Sequence, residues 1–329
     1  MRIKHRSILM AMVFTLLFQC APKSAGFDEY LNKINRFEAD SNWVKAKELT
    51  LRGYDHFPEN EFDLQMELTY LNEQFDLYEE NLQIWTEGHQ KGYFYLIHER
   101  LPKYQAYLKY PEFQHIARED QALRQKANEK SRTTYEFFPS KSVSDSPTLI
   151  LFHGGGSSNE KAKKRWTFSP EFSSAVNIIY FQSYNHYTTN SYGWRSGDIR
   201  QHQELDSCFQ EIMARYPIDI SGVYLTGISA GGSMALDISL RGVLPVKETI
   251  AFCPGYPEFV ESVDESQVHS PIHIIGGEHD FYHDRQVKLV EQLEKKQIPH
   301  TFTIIANLGH ELPNYYETRI AQIISRGLE

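Results

Sequence analysis

Four short stretches carry residue types able to do acyl-transfer chemistry. The first is Gly227-Ile-Ser-Ala-Gly231, a serine between two glycines, directly after the apolar run Gly222–Thr226. A serine hydroxyl is a weak nucleophile until a neighbouring base takes its proton. On a sharp turn between a strand and a helix, Ser229 would present its Oγ above a sheet, with a helix N-terminus favouring the negative charge that develops there. The second is Thr148-Leu-Ile-Leu-Phe-His-Gly-Gly-Gly-Ser157. Acyl transfer needs backbone N–H donors aimed at the oxyanion of the tetrahedral intermediate. Glycine lets the main chain come close enough to supply them. The N–H of Ala230 is expected as one donor and that of Gly154 or Gly155 as the other, with both glycines left open. A phosphate loop of the common kind is disfavoured, because no Gly-Lys-Ser or Gly-Lys-Thr follows.

The third stretch is Ile274-Ile-Gly-Gly-Glu-His-Asp-Phe281. Asp280 lies just past an apolar run, where a carboxylate would orient an imidazole and stabilise its charged form. Glu278 and Asp284 compete for that role, and the position in the loop favours Asp280. The fourth is Ile304-Ile-Ala-Asn-Leu-Gly-His-Glu-Leu-Pro313, in which His310 could take the serine proton through Nε2. His279 and His283 read as loop residues, and nothing fixes a metal-ligand spacing among the histidines. The chemistry asks for no metal and no organic cofactor.

These stretches need a scaffold that ends several strands on one edge. After about Ser131, β-rich runs alternate with amphipathic ones. Strands are predicted at Thr133–Phe138, Thr148–His153, Asn177–Gln182, Gly222–Thr226, Thr249–Phe252, Ile272–Ile275 and Thr301–Ile305. Helices are predicted at Ile199–Tyr216, Ala230–Leu240, Arg285–Lys296 and Tyr315–Ser325. Such alternation implies an α/β fold, a doubly wound, mostly parallel sheet with helices on both faces and function at the carboxyl ends of the strands.

Ser229, Asp280 and His310 occur in the triad order of the α/β-hydrolase fold. With HGGG at 153–156, GISAGG at 227–232, GGEHD at 276–280 and LGHELP at 308–313, the chain resembles the α/β-hydrolase superfamily. Within it, the likeness is to compact serine esterases of the phospholipase/carboxylesterase and dienelactone-hydrolase-like type. It covers the region from Thr133 to the C-terminus. "QSYN" at 182–185 and "YGWRSGDIRQHQEL" at 192–205 look like the substrate-facing loop of such enzymes. The resemblance implies hydrolysis of a small-molecule carboxylic ester through an acyl-enzyme. Ser229 would be the nucleophile, His310 the general base and then acid, and Asp280 the orienting acid. The aromatic residues Tyr184, Tyr192 and Trp194 are expected to contact substrate. Arg195 and Asp198 are further polar candidates, although Asp198 also suits a helix cap.

The N-terminus reads differently. Met1–Arg6 is basic and Ile8–Phe18 is almost wholly apolar, the pattern of a signal peptide and too short for an ordinary membrane span. Leu17-Phe-Gln-Cys20 resembles a bacterial lipobox, with Gln19 in place of the usual small residue. Cys20 is the expected lipidation site, and the chain is expected to be exported and held at the membrane, periplasmic or at the cell surface, only through that anchor. Residues 1–20 therefore read as signal peptide, 21–130 as a helical region and 131–329 as the catalytic domain. In the helical region Trp43, Leu49 and Gly53 recur as Tyr78, Ile84 and Gly88, thirty-five positions on, a period that resembles a tetratricopeptide repeat. A plain helical cap is the alternative. Either form offers a surface to a protein partner.

Composition excludes some classes. A net charge of −9 without a basic cluster argues against nucleic acid as partner. Cys208 and Cys253 read as two buried thiols rather than a disulfide. Two other functions compete with the esterase. A serine peptidase of the prolyl-oligopeptidase type shares fold and triad order, but the N-terminal region lacks the periodic short strands of a propeller. A non-catalytic surface-binding lipoprotein could keep the fold, but all four catalytic stretches are intact.

Overall fold

The structure, a computed structural model, describes residues 24–264, 266, 268 and 270–327. The signal-like segment and Cys20 lie outside them. The chain divides between Ile84 and Trp85 into two compact units.

The first unit is helical: α1 (Ser24–Ala39), α2 (Trp43–His56), α3 (Glu61–Glu73) and the start of α4 (Tyr78–Gln90). Asn42 caps α2, its side chain accepting from Lys45 N–H. Ile34, Ala46 and Leu71 form a small core under Tyr30, Leu31, Phe37, Trp43 and Leu49. Gly53 sits where α2 comes closest to its neighbours, since an ideal Cβ there would lie 2.6 Å from Leu64. Two buried asparagines join α3 to α4: Asn72 donates to Asn81 Oδ1 at 2.9 Å, and Asn81 donates to Thr69 O at 2.8 Å. Helices α2 and α4 begin at Trp43 and Tyr78, the pair that opens the thirty-five-residue echo. Among the described residues before Trp85 there is no strand.

The second unit begins with helical sequence that is not helical throughout. Residues 93–98 have no regular structure, and Pro102–Tyr107 is a 3₁₀ helix before α5 (Phe113–Lys130). The reason is Asp120, a fully buried carboxylate on α5. It accepts the N–H groups of Tyr95 at 2.5 Å and Ile97 at 3.0 Å, donors a helix would have used internally. This clamp holds the strip beside the later loop 183–195, where Phe94 and Thr189 exchange hydrogen bonds. Asn128 on α5 donates to Asn185 and accepts from His186 N–H.

Beyond Ser131 lie β1 (Thr134–Phe138), β2 (Thr148–Phe152), α6 (Asn159–Arg165), α7 (Pro170–Ala175), β3 (Asn177–Gln182), β4 (His186–Thr188), β5 (Ser191–Tyr192), α8 (Ile199–Arg215), β6 (Val223–Ile228), α9 (Ala230–Arg241), β7 (Glu248–Phe252), β8 (Ile272–Gly277), α10 (His283–Lys295), β9 (His300–Ile305) and α11 (Tyr316–Arg326). The main sheet has seven strands in the order β1-β3-β2-β6-β7-β8-β9. Only β1 runs antiparallel to its neighbour; the other pairings are parallel.

Both faces of the sheet are covered, so its central strands read as continuous apolar runs. On one face Leu149, Leu151, Ile178 and Tyr180 pack with Trp166, Phe172 and Ile320 from α6, α7, α11 and their flanks. On the other, Ile150, Phe152, Ile179 and Leu225 pack with Leu205, Phe209, Met234 and Ile238 of α8 and α9. Helix α10 packs on β8 and β9 through Leu289 and Leu293. Strands β2 and β6 are adjacent, pairing Phe152 with Gly227. The HGGG run and Ser229 therefore leave the sheet side by side.

Candidate active site

Ser229 stands between β6 and α9 with φ 57° and ψ −123°. Positive φ is unusual for a residue with a Cβ and needs surroundings that hold it. Its N–H donates to Phe252 O at 2.9 Å, tying the turn to the neighbouring strand end. Gly231 makes the turn possible by close approach. An ideal Cβ there would overlap Phe152 O and lie 2.5 Å from His153 O.

Gly154, Gly155, Ile228, Ser229 and His310 line one cavity of about 140 Å³, together with Ser157, Ala162, Arg165 and Trp166. The nucleophile candidate, the base candidate and both glycine candidates thus share a wall. An ideal Cβ on Gly155 would lie 3.3 Å from the Ala230 Cβ, so these two main-chain segments are in contact. The N–H of Gly156 is committed to Tyr192 O at 2.8 Å.

His153, at the end of β2, is fully buried. Burial pushes its imidazole down to about 4, against a weaker upward pull from the Gly154 carbonyl. The ring is therefore neutral at neutral pH. Its Nδ1 faces Gly154 O at 2.7 Å, where only a donor fits, and Nε2 accepts from Ser183 N–H at 3.3 Å. The ring pins the first glycine of the run.

Asp280 and His310 are joined at 2.7 Å between Oδ1 and Nδ1. A carboxylate only accepts, so Nδ1 carries the proton and Nε2 is left for the cavity side. Burial pushes the Asp280 carboxyl up. Hydrogen bonds from Tyr282 N–H, His310, Gln286 and Cys253 outweigh it and leave the group below the ordinary carboxylate range. The His310 ring lies under Phe281, with centroids 4.1 Å apart, and edge-on to Tyr282 at 5.3 Å. Phe281 is 70% exposed although large and apolar. Donor atoms of Cys253, Asp280 and His310 lie within 4.8 Å of one another, drawn together by these hydrogen bonds. Cys253 also reaches Glu311 O at 3.4 Å, and burial, with Asp280 beside it, pushes the thiol up to about 12. Cys208 and Cys253 are both free thiols, Cys253 buried and Cys208 half-buried.

The three aromatic residues expected to touch substrate do not line this cavity. Tyr184 is buried, donates to Asp198 and lies under the Arg200 guanidinium at 3.9 Å. Trp194 is buried, its indole N–H donating to His153 O at 2.8 Å. Tyr192 pairs through its backbone with Gly156 and Ser157 and packs its ring on His186 at 4.3 Å. Trp194 and Tyr192 thus hold the glycine run in place, whereas Tyr184 lines a separate cavity with Arg195 and Arg200. Asp198 is the cap of α8, accepting from Gln201 N–H at 3.2 Å. The Trp194 loop is tethered at Ser196 and Gly197, both of which donate to Asp237 on α9.

Sequence reasoning missed Arg165, Trp166 and Gln286. Arg165 and Trp166 sit at the end of a seven-residue helix with almost no apolar periodicity, and Gln286 is one glutamine on a charged helix. Phe281 and Tyr282 directly follow Asp280 and were readable as its neighbours.

Comparison with known proteins bears on the same region. Residues 197–320 match the model of the Dienelactone hydrolase family. No curated protein matches the chain. Among solved structures, an uncharacterized protein from Bacillus cereus ATCC 10987 aligns at 20% identity over 91% of this chain and 98% of its own, with a TM-score of 0.49. Esterase PE8 aligns at 19% identity over 60% and 100%, TM-score 0.48. The Bacillus cereus carboxylesterase aligns at 16% over 62% and 99%, TM-score 0.47. The parallel sheet flanked by helices, with the match across its second half, makes this an α/β-hydrolase fold whose residues 197–320 are similar to the Dienelactone hydrolase family.

Proposed function

We propose that the protein hydrolyses carboxylic esters through an acyl-enzyme. Ser229 Oγ attacks the ester carbonyl while His310 Nε2 takes its proton, and Asp280 holds the imidazolium that forms. The oxyanion lies on the N–H of Ala230 and on that of Gly154 or Gly155. His310 then returns the proton to the leaving alcohol, and water repeats the sequence to release the acid. The observation that supports this reading best is the single cavity shared by Ser229, His310, Gly154 and Gly155, with His310 hydrogen-bonded to Asp280 at 2.7 Å. A cavity of about 140 Å³ is close in size to one that holds a benzene ring, which favours short acyl groups. The reading extends to the ends of the chain's organisation: export and a lipid anchor at Cys20, with the N-terminal helices as a tetratricopeptide-like docking surface.

The test uses the detergent-solubilised full chain with a fluorophosphonate probe and p-nitrophenyl esters of increasing acyl length, beside Ser229→Ala. Labelling and turnover are expected in the parent and neither in the variant, with short chains preferred. A parent that neither labels nor turns over would refute the enzyme reading. Turnover that survives in Ser229→Ala would refute the assignment of the nucleophile.

A further inference from the structure

Asp280 has two oxygens to satisfy, and His310 accounts for one contact. Oδ1 faces His310 Nδ1 at 2.7 Å and accepts Tyr282 N–H at 2.8 Å. Oδ2 accepts from Gln286 Nε2 at 2.8 Å. We propose that Gln286 is a positioning residue for the acid–base pair: its amide holds Oδ2 and thereby turns Oδ1 toward His310. This rests on the reading of Asp280 and His310 as orienting acid and base.

Three observations support it. Gln286 is fully buried in the first turns of α10, where its N–H bonds Tyr282 O at 2.9 Å. Its amide orientation follows from chemistry, because only Nε2 can donate to a carboxylate. That orientation leaves Oε1 buried without a hydrogen-bond partner among the described residues. An unpaired buried oxygen is unfavourable, and an apolar residue of the same shape would avoid it. A residue kept only for packing has no need of this amide. The strand beneath is built around it as well: an ideal Cβ on Gly276 would fall on Gln286 Oε1 and lie 3.0 Å from Cδ.

Without the amide, Oδ2 would be a buried oxygen with no N–H donor. The carboxylate would rotate away from His310 or take up a proton, and either weakens its hold on the imidazolium. Among the described residues, Cys253 from the end of β7 and Tyr282 from the lead into α10 touch this pair, and Arg165 from the end of α6 lines the cavity that His310 faces. Glu261, on the short 3₁₀ helix Glu258–Ser262 that packs on α10, is engaged by Lys288 and Tyr256.

The experiment compares the pH dependence of kcat and kcat/KM for the full chain, Gln286→Met and Gln286→Glu, with folding checked by thermal melts. Gln286→Met should lower kcat about tenfold, leave KM within about twofold and move the acid limb to lower pH by about half a unit, because His310 loses anionic support. In Gln286→Glu the new carboxyl lies buried against the Asp280 carboxylate, so it keeps its proton and donates to Oδ2 as the amide does; kcat should stay near the parent's and the acid limb should stay in place. A shift in the methionine variant that the glutamate variant rescues is not what a packing defect produces. Limbs that stay in place in both variants, or move the same way, overturn the proposal while leaving Ser229-dependent turnover intact. Absence of Ser229-dependent turnover in the parent overturns the catalytic reading and this inference with it.

Discussion

The indole N–H of Trp194 donates to the carbonyl of His153 at 2.8 Å, so the aromatic loop is bonded to the residue that opens the glycine run. The other end of that loop is held by Asp237 on α9, the helix that follows Ser229. One loop therefore joins the candidate oxyanion donors to the candidate nucleophile, and its integrity should matter to both.

Asp237 is fully buried and also contacts His202 at 2.7 Å and Arg241 at 2.9 Å. Burial pushes its carboxyl up, but His202, the Gly197 N–H and Arg241 outweigh that and leave it below the ordinary range. Asp237→Ala would strand these partners, with an expected loss of about 3–5 kcal/mol in urea unfolding. Asp237→Asn should recover part of it, since the amide oxygen can still accept. Equal losses in the two variants would argue against the tether.

Asp280→Asn keeps the shape of the acid but offers an N–H to His310 Nδ1. That selects the wrong tautomer, and turnover should fall on the order of 10³–10⁴-fold with little change in thermal stability. A loss below about tenfold would move the orienting role elsewhere, with Glu278 the next residue to test.

His153 makes stability depend on pH. Its folded value is about 4, while an unfolded histidine titrates near ~6.5. Below about pH 6.5 the unfolded chain takes up a proton that the folded chain refuses, so stability falls between about pH 6.5 and 4 and this contribution is constant outside that window. The difference reaches roughly 3 kcal/mol. Urea melts at pH 7.5 and 4.5 should show a smaller drop for His153→Gln than for the parent. Equal drops would place the acid sensitivity in other groups.

Gly231→Ala adds a methyl group against the carbonyls of Phe152 and His153, which are main chain and cannot swing aside. A destabilisation of about 1–3 kcal/mol is expected, with a larger loss of fluorophosphonate labelling because the turn at Ser229 must shift. Normal labelling in this variant would show that the turn tolerates a wider geometry.

Cys20→Ala should abolish incorporation of a palmitate analogue and release the chain from the membrane fraction. A label that persists would refute lipidation at this residue.

The sheet was legible because buried parallel strands are continuous apolar runs, and each predicted strand appears within two residues of its place. The hairpin β4–β5 was not, since five residues paired mainly through their backbone leave no pattern. Helix α6 has a single buried apolar side chain, Ala162, and so carries no stripe to read. The region 21–130 reads as helical throughout, yet residues 93–98 are irregular and Pro102–Tyr107 is a 3₁₀ helix. The carboxylate that extends residues 95–97 lies more than twenty positions away. Ser229, Asp280 and His310 stand out in the sequence by order and spacing, and the structure sets His310 against Asp280 and in one cavity with Ser229. Tyr184, Tyr192 and Trp194 were singled out by aromatic area, which predicts that a side chain is covered but not by what.

The left-handed backbone at Ser229 narrows the choice of side chain at that position. A branched Cβ is strained at positive φ, whereas an unbranched one is tolerated. Threonine would carry the same hydroxyl to the same place and yet distort the turn. Cysteine would fit it and exchange oxygen for sulfur. Chemical variety at this position is thus open along the axis of the reacting atom and closed along the axis of branching.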